Sequence, residues 1–380
     1  MTDNRDVRIA IGAPGGVEYD VVIEAGAARS IGRLLREHAA SPHYIVIADA
    51  VVAGPYGDAV LASVRETGAR ADLLAFAAIE SSKTRAMWAE LTDRLIARGA
   101  GRDACVVALG GGVTTDLAGF VAATFMRGLA YVQVPTTLLA MIDASIGGKT
   151  GVDTEAGKNL VGAFHHPRLV VVDPEFLATL PVAELCSGLA EAVKHGAIAD
   201  AAYLDRIRAE AGALLRRDAG VLEWLIRRSV EIKAGVATRD PYEHGERAVL
   251  NFGHTVAHAL ERLSGFAKRH GIAVAMGMGV EAELGVALGI THPDTPAVLR
   301  SVLRPLGLPA AVPAGTDFAA VVAATATDKK ARAGRVRYTL LQRAGQAARS
   351  PDGEWTFPAD AAAVEAALAR AAAADGPPSP

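Results

Sequence analysis

The sequence predicts an α/β half built on a mostly parallel sheet, followed by an all-helical half. Three observations carry this. Apolar runs of strand length recur through the first half of the chain, helical stretches separate them, and beyond about residue 182 helical periodicity dominates. Continuous apolar strands spaced by helices are the pattern of a parallel sheet covered on both faces.

The elements follow in order. Apolar residues over 7–11 and 19–23 read as strands, and 28–38 as a helix. Tyr44-Ile45-Val46-Ile47-Ala48 is a buried strand; 57–67 is helical, 71–76 a strand and 83–98 an amphipathic helix. Cys105-Val106-Val107-Ala108-Leu109 is a further buried strand, and it runs into Gly110-Gly111-Gly112. A helix over 115–126 and strands over 131–134 and 169–173 complete this half. Helices over 185–198, 201–215, 221–239, 252–263, 274–288 and 296–306 fill the second, with one short late strand over 336–341. The predicted division is 1–182 for the α/β domain, 183–370 for the helical domain and 371–380 for a disordered Ala-, Gly- and Pro-rich tail.

The 380 residues suffice for two cores of ordinary size, and 51% apolar with 21% charged residues is a soluble globular composition. A net charge of −3 gives no broad electrostatic reason to expect nucleic acid or an acidic membrane as partner. There are two cysteines, Cys105 in a buried strand and Cys186 outside any metal-type spacing. They point to a reducing compartment and not to a disulfide framework. The polar N-terminus has no signal-peptide core, and no run of ~18 apolar residues occurs, so the expected location is the cytoplasm.

Four constellations could carry chemistry. The first is the strand that ends in Gly110-Gly111-Gly112 before a helix. Glycines let the backbone approach a phosphate, and the helix N-terminus offers N–H groups, which favours a phosphate or dinucleotide site. A structural tight turn is the other reading, because Thr115 stands where the usual dinucleotide fingerprint needs a glycine.

The second is the stretch 135–164, with Thr136-Thr137, Asp143, Gly147-Gly148-Lys149-Thr150-Gly151 and Lys158-Asn159. It reads as a long irregular loop. An ordered loop carrying lysines suits a phosphate-bearing ligand; the alternative is a solvated loop.

The third is a set of metal-type side chains. A helix through 187–195 puts Glu191, Lys194 and His195 on one face, His254 and His258 are one turn apart, and His270 follows a loop. Two imidazoles and a carboxylate are a standard divalent-metal set with an open position. Spacing leaves several sets open, His254 with His258 and Glu191 with His195 among them, or no metal at all. The fourth is a basic set, Arg127, Lys194, Lys233, Arg247 and Lys329-Lys330. Each alone is a solvated charge; together they suit a substrate with a phosphate and a carboxylate.

Taken in order, the stretches 110–120, 135–143, 147–152, 157–164, 187–194 and 250–254 resemble the 3-dehydroquinate synthase family. The resemblance implies an N-terminal NAD-binding α/β domain, a C-terminal helical metal-binding domain, a site in the cleft between them, and a homodimer. Carried over residue by residue, it makes Glu191, His254 and His270 the ligands of Zn2+ or Co2+. It assigns NAD to Asp49, Glu80, Lys83, Gly111, Gly112, Val113, Asp116, Thr136, Thr137, Lys158, Phe176 and Thr179. It assigns substrate to Arg127, Asp143, Lys149, Asn159, Lys194, Lys233, Arg247, Asn251 and Lys330, the last in preference to Lys329. Lys149, Lys194, Glu243 and His258 are the implied catalytic residues, Glu243 and His258 for proton transfer. Four positions depart from the usual pattern. Val51 stands where Asn is usual, which weakens the role of Asp49 toward a ribose. Thr115 stands for Gly, and Glu246 for Leu beside Arg247. Ile272 stands for Glu after His270, which would alter metal affinity if that Glu supports a ligand.

The family's substrate is 3-deoxy-D-arabino-heptulosonate 7-phosphate, and its product is 3-dehydroquinate. NAD oxidises a ring hydroxyl, phosphate leaves, the hydride returns, and ring opening with aldol closure gives the carbocycle. Competing readings are another sugar phosphate cyclase, a metal-dependent polyol dehydrogenase, and a non-catalytic protein on the same scaffold.

Overall fold

The computed structural model describes residues 7–13, 17–313, 315–326 and 336–374. Its contacts divide the chain into two compact units. One comprises Met1–Leu180 with Leu222–Pro241, the other Pro181–Val221 with Tyr242–Pro380.

The first unit is built on β1 (Val7–Ala13), β2 (Val17–Ile23), β3 (His43–Asp49), β4 (Arg70–Phe76), β5 (Cys105–Gly110), β6 (Ala130–Pro135) and, after a hairpin described below, β9 (Leu169–Val172). The sheet order is β1-β2-β9-β6-β5-β3-β4. Only β1 and β2 pair antiparallel; the remaining neighbours are parallel. Buried on both faces, β5 and β9 are wholly apolar runs with no exposed residue. Alternate residues on one face, Ile45, Ile47, Leu74, Phe76, Val106 and Ala108, pack with Leu91 and Leu95 of the helix Arg85–Ala97 and Leu117 and Val121 of the helix Gly112–Thr124. From β3 the chain steps outward to β4, then returns to the other side of β3 as β5 and continues to β6. The direction of winding therefore reverses between β3 and β5, and open α/β sheets bind ligands beyond the carboxyl ends of the strands at such a reversal.

Two expectations change in this unit. The stretch 135–164 is not an irregular loop. It holds a π-helical turn, Ala140–Ala144, and an antiparallel hairpin of β7 (Lys149–Thr154) and β8 (Gly157–Phe164). Its glycines act as cross-strand partners. Gly151 faces Gly162, and a Cβ on Gly162 would lie 2.2 Å from the Thr150 carbonyl oxygen. Small residues thus let the two backbones close up while Thr150, Val152 and Val161 supply β-propensity. The second change concerns the helix Ala219–Arg239, which was grouped with the helical half. From Leu222 it belongs to the first unit, where Thr238 Oγ1 accepts the Gly12 N–H at 3.2 Å.

Among the described residues the second unit is helical apart from two short ladders, Arg337–Tyr338 with Phe357–Pro358 and Leu341–Arg343 with Gln346–Ala347. The single late strand expected over 336–341 is thus split. At the centre lies the helix His270–Ala287, on which the helices Val182–Ala199, His254–Leu263 and Ala361–Ala374 all pack. Ala371–Ala374 continue that last helix and bury Ala371, so the disorder expected from residue 371 does not begin there; 375–380 lie outside the described residues. Among the described residues no helix is long and apolar enough to cross a membrane.

Candidate metal and nucleotide sites

Three helices of the second unit bring Glu191, His254 and His270 together. Close approach is possible because glycines stand at the contacts. A Cβ on Gly271 would lie 2.2 Å from the Ser187 carbonyl oxygen, and one on Gly277 would lie 1.9 Å from that of Gly253. The Gly271 N–H also donates to Ser187 Oγ at 3.0 Å, which pins the start of the His270 helix one turn before Glu191. The ligand atoms of Glu191, His254 and His270 all lie within 4.8 Å of one another. Glu191 Oε1 is 3.5 Å from His254 Nε2 and 3.3 Å from His270 Nε2, with the two rings 5.2 Å apart.

Hydrogen bonds fix which nitrogen each ring presents. His254 Nδ1 lies 3.2 Å from the Phe252 carbonyl oxygen, which can only accept, so Nδ1 carries the proton and Nε2 turns toward Glu191. His270 Nδ1 faces the buried Glu261 carboxylate at 3.4 Å, leaving Nε2 for Glu191. Burial alone would push the Glu191 carboxyl up, but the Lys194 ammonium beside it and the hydrogen bond from His270 outweigh burial and hold it at about 2. Burial would push the His270 imidazole down, yet Glu191 and Glu261 lift it to about 9. The donor set is a carboxylate held ionised and two imidazole Nε2 atoms directed at one point, His270 sharing a proton with Glu191 that a divalent cation with an open coordination position would displace.

Of the sets left open by spacing, His258 stands edge-on to His254, ring centroids 5.6 Å apart, and is not part of this cluster. His195 is fully buried, and burial together with Lys194 keeps its imidazole well below the usual range and neutral. Glu243 accepts from Asn251 Nδ2 at 2.8 Å, and Arg247 is a buried guanidinium, 1% exposed. Lys329 and Lys330 lie outside the described residues.

Sequence reasoning missed Glu261 and Glu281. Glu261 lies seven residues after His254, two turns along the same helix face, which was a readable signal. Glu281 interrupts an apolar helix, where a charge needs partners. The support left in doubt by Ile272 is present in another form, since Glu261 provides a carboxylate to His270.

In the first unit, the strand ends at the reversal carry the implied nucleotide residues. Asp49 closes β3 and accepts the Val51 N–H at 3.1 Å, while the Val51 side chain is 80% exposed. Gly111 caps the helix Gly112–Thr124, whose first turn includes Val113. A Cβ on Gly110 would lie 2.4 Å from Thr114 Oγ1, and one on Gly111 would lie 3.1 Å from Thr137 Cγ2. Packing therefore accounts for Gly110 and constrains Gly111, as a tight turn requires. Gly112 is different: a Cβ there meets nothing nearer than 3.6 Å, and its φ is not positive. A backbone kept bare where the protein itself leaves room fits close approach by a phosphate.

Beside this turn, Lys83 donates to Asp116 at 2.5 Å and to Asn159 Oδ1 at 2.6 Å. Burial would push the Lys83 ammonium down, but Asp116 outweighs burial and holds it up, while burial pushes the Asp116 carboxyl up against Lys83. Asp153 accepts the Asn159 N–H at 2.8 Å and donates its own to the Lys83 carbonyl at 2.7 Å, so it organises that pair. Lys158 bonds Glu80 at 2.7 Å. Lys233 reaches both the carbonyl and the carboxylate of Asp143. Asp173 accepts N–H bonds from Gly26, Ala28 and Glu175, and so seats the turn Pro174–Ala178 that carries Phe176. Thr136 donates its N–H to Gly110, and Thr179 lies 3.4 Å from the Tyr56 hydroxyl. Arg127 and Lys149 are exposed; Arg127 and Met126 hold left-handed φ values of 70° and 49°, a conformation that costs non-glycine residues about 1–3 kcal/mol.

The chain as a whole matches known proteins. The family model described as 3-dehydroquinate synthase N-terminal matches residues 73–187, and the one described as 3-dehydroquinate synthase C-terminal matches 188–331. A 3-dehydroquinate synthase of Xanthomonas axonopodis pv. citri is 44% identical over 364 residues, 93% of this chain and 97% of that one. Another from Synechococcus is 42% identical over 341 residues, 88% of this chain and 92% of that one. Among solved structures, the 2-epi-5-epi-valiolone synthase ValA of Streptomyces hygroscopicus, with NAD+ and Zn2+ bound, aligns at TM-score 0.83 and 32% identity, covering 96% of this chain and 99% of that one. A 2-deoxy-scyllo-inosose synthase complexed with carbaglucose-6-phosphate, NAD+ and Co2+ shares the fold at TM-score 0.87 and 24% identity, covering 95% of this chain and 99% of that one. With both halves matched in order, and such identity sustained over nearly whole chains, this chain belongs to the 3-dehydroquinate synthase family.

Proposed function

We propose that this protein is a 3-dehydroquinate synthase, which converts 3-deoxy-D-arabino-heptulosonate 7-phosphate to 3-dehydroquinate and phosphate with NAD and a divalent cation, Zn2+ or Co2+. The observation that carries the reading is the Glu191–His254–His270 cluster, in a chain 44% identical to a curated synthase over 97% of its length. The same reading makes the protein a cytoplasmic homodimer and an enzyme of aromatic amino acid biosynthesis by the shikimate route.

When bound, NAD would take hydride from the carbon that bears a ring hydroxyl, as that hydroxyl gives up its proton, and would later return it; the cation would polarise the hydroxyl oxygen. The chain supplies placement and charge. Glu191, His254 and His270 hold the cation, and Lys194 keeps the Glu191 carboxylate ionised while both are out of water. Gly112 and the first turn after it receive the dinucleotide phosphates, with Thr136 and Thr137 beside them. Asp116 and Lys83 are already locked to each other, so they offer oriented groups to the nucleotide at little further ordering cost. Arg247, buried and planar, binds the substrate carboxylate or ring oxygens, and Lys149, Arg127 and Lys330 neutralise its phosphate. Glu243, oriented by Asn251, and His258 move protons. Holding the substrate in a ring-like pose lowers the entropic barrier to closure.

The test is phosphate release by purified protein with NAD+ and Zn2+ or Co2+. The expected outcome is release from the heptulosonate, dependent on the cation, without accumulation of NADH. Consumption of sedoheptulose 7-phosphate in its place would assign another cyclase, and stoichiometric NADH a polyol dehydrogenase.

A further inference from the structure

The helix His254–Leu263 begins at Gly253, whose φ is +81° and which has no side chain to cap the first turn. A carboxylate arrives from the neighbouring helix in its place. Glu281, 0% exposed, accepts the N–H of Gly253 at 2.7 Å, of Thr255 at 3.1 Å and of Val256 at 3.3 Å. These donors bracket His254. A helix N-terminus carries partial positive charge, and charge-assisted bonds from several backbone N–H groups are what an ionised buried carboxylate requires. Glu281 can reach them because its helix touches the turn directly. A Cβ on Gly253 would lie 2.9 Å from both the Val274 carbonyl oxygen and the Met278 nitrogen, and Gly277 lies against the Gly253 carbonyl.

We propose that Glu281 is a positioning residue of the metal centre. By clamping the backbone on both sides of His254, it sets the direction in which that imidazole leaves the helix. It thereby places Nε2 on the point shared with Glu191 and His270. The proposal rests on the reading that these three side chains hold a divalent cation. Glu281 acts through the backbone and does not touch the ion.

A buried carboxylate could serve stability alone, so the test needs a control on the same helix. Glu283 is that control: it bonds Arg300 at 3.1 Å and lies 3.9 Å from Arg370, both within the second unit. The holoprotein and the variants Glu281→Gln, Glu281→Asp and Glu283→Gln are stripped of metal. Each is then titrated with Co2+ against a chelator, and its visible Co2+ spectrum is recorded beside its thermal unfolding without metal. The expected result is a loss of roughly tenfold or more in Co2+ affinity with a shifted spectrum for Glu281→Gln. Glu281→Asp, which keeps the charge but not the reach, shows the same sign and serves if the amide variant does not fold. Glu283→Gln lowers thermal stability and leaves affinity and spectrum unchanged. Wild-type affinity and spectrum in the folded Glu281 variants would overturn the proposal, as would an equal loss of affinity in Glu283→Gln. Wild-type protein that binds no Co2+ would overturn the metal reading itself, and this proposal with it.

Discussion

Glu261 stands 3.4 Å from Nδ1 of His270, on the opposite side of the ring from Glu191, which lies 3.3 Å from Nε2. The imidazole is therefore held between two carboxylates, one positioned to share a cation with it and one to orient it. A carboxylate that accepts the proton of a ligating histidine raises its basicity and fixes its tautomer. Replacing Glu261 with Gln keeps the volume and removes the charge. The expected outcome is a loss of about 10–100-fold in Zn2+ affinity, read by chelator competition, with the helical circular dichroism unchanged. Unchanged affinity would show that His270 needs no such support.

Lys83 and Asp116 make a separate prediction, because a buried ammonium and a part-buried carboxylate are partners in the unit that carries the proposed nucleotide residues. Burial already pushes the Asp116 carboxyl up, and Lys83 opposes that push. Lys83→Met removes the opposition and leaves Asp116 without its ammonium. NAD+ affinity, measured by calorimetry, should fall by about tenfold or more, and stability should fall with it by about 3–5 kcal/mol, as expected when one partner of a buried pair is removed. Adding Asp116→Asn should restore much of the stability and none of the NAD+ affinity. Recovery of both would make the pair purely structural.

Which parts of this were legible in the sequence follows from the range of the forces involved. The parallel strands were readable because burial on both faces leaves an unbroken apolar run, as in Cys105-Val106-Val107-Ala108-Leu109. The β7–β8 hairpin was not, because its glycines are informative only once Gly151 and Gly162 are known to face each other. The metal set was ambiguous for the same reason: spacing favours His254 with His258, whereas the bond from His254 to the Phe252 carbonyl and the contact of Gly271 with Ser187 bring His254 and His270 to Glu191. Helix-face arithmetic would have found Glu261. No local pattern links Glu281 to Gly253, 28 residues away.

The amino-acid pattern also hid a charge cluster whose stability contribution depends on pH. Asp72 accepts from His43 Nε2 at 2.8 Å and Arg98 at 2.8 Å, with Arg70 at 2.9 Å. Burial pushes its carboxyl up, but the bonds from His43 and Arg98 outweigh burial and hold it below the usual range. A depressed folded pKa gives stability that is present above the unfolded value, about 3.9, and lost as pH falls through the folded one. Asp72→Asn should therefore cost about 1 kcal/mol at neutral pH, a modest figure because both guanidiniums are half exposed and screened. Denaturant titrations should show the gap between the two proteins closing below pH ~4. A gap independent of pH would assign it to packing.

The last prediction separates the two explanations for Gly110-Gly111-Gly112. A methyl group on Gly110 would lie 2.4 Å from Thr114 Oγ1 within the same turn, so Gly110→Ala forces the strand end and helix start apart. Its expected effect is on folding, a loss of about 1–3 kcal/mol in denaturant stability, as for other overpacked sites. A methyl group on Gly112 meets Ala144 Cβ at 3.6 Å and Leu139 at 3.7 Å, ordinary contact distances. Gly112 is also the first residue of the helix, where Ala is the better helix former by up to about 1 kcal/mol. Gly112→Ala should thus leave stability unchanged or raise it slightly. If a phosphate passes over this backbone, the same methyl group stands in its path, and NAD+ affinity should fall by at least tenfold while the fold is unharmed. Opposite signs for stability and affinity in one variant cannot come from a structural turn. Retention of full NAD+ affinity by Gly112→Ala would move the dinucleotide elsewhere on the sheet.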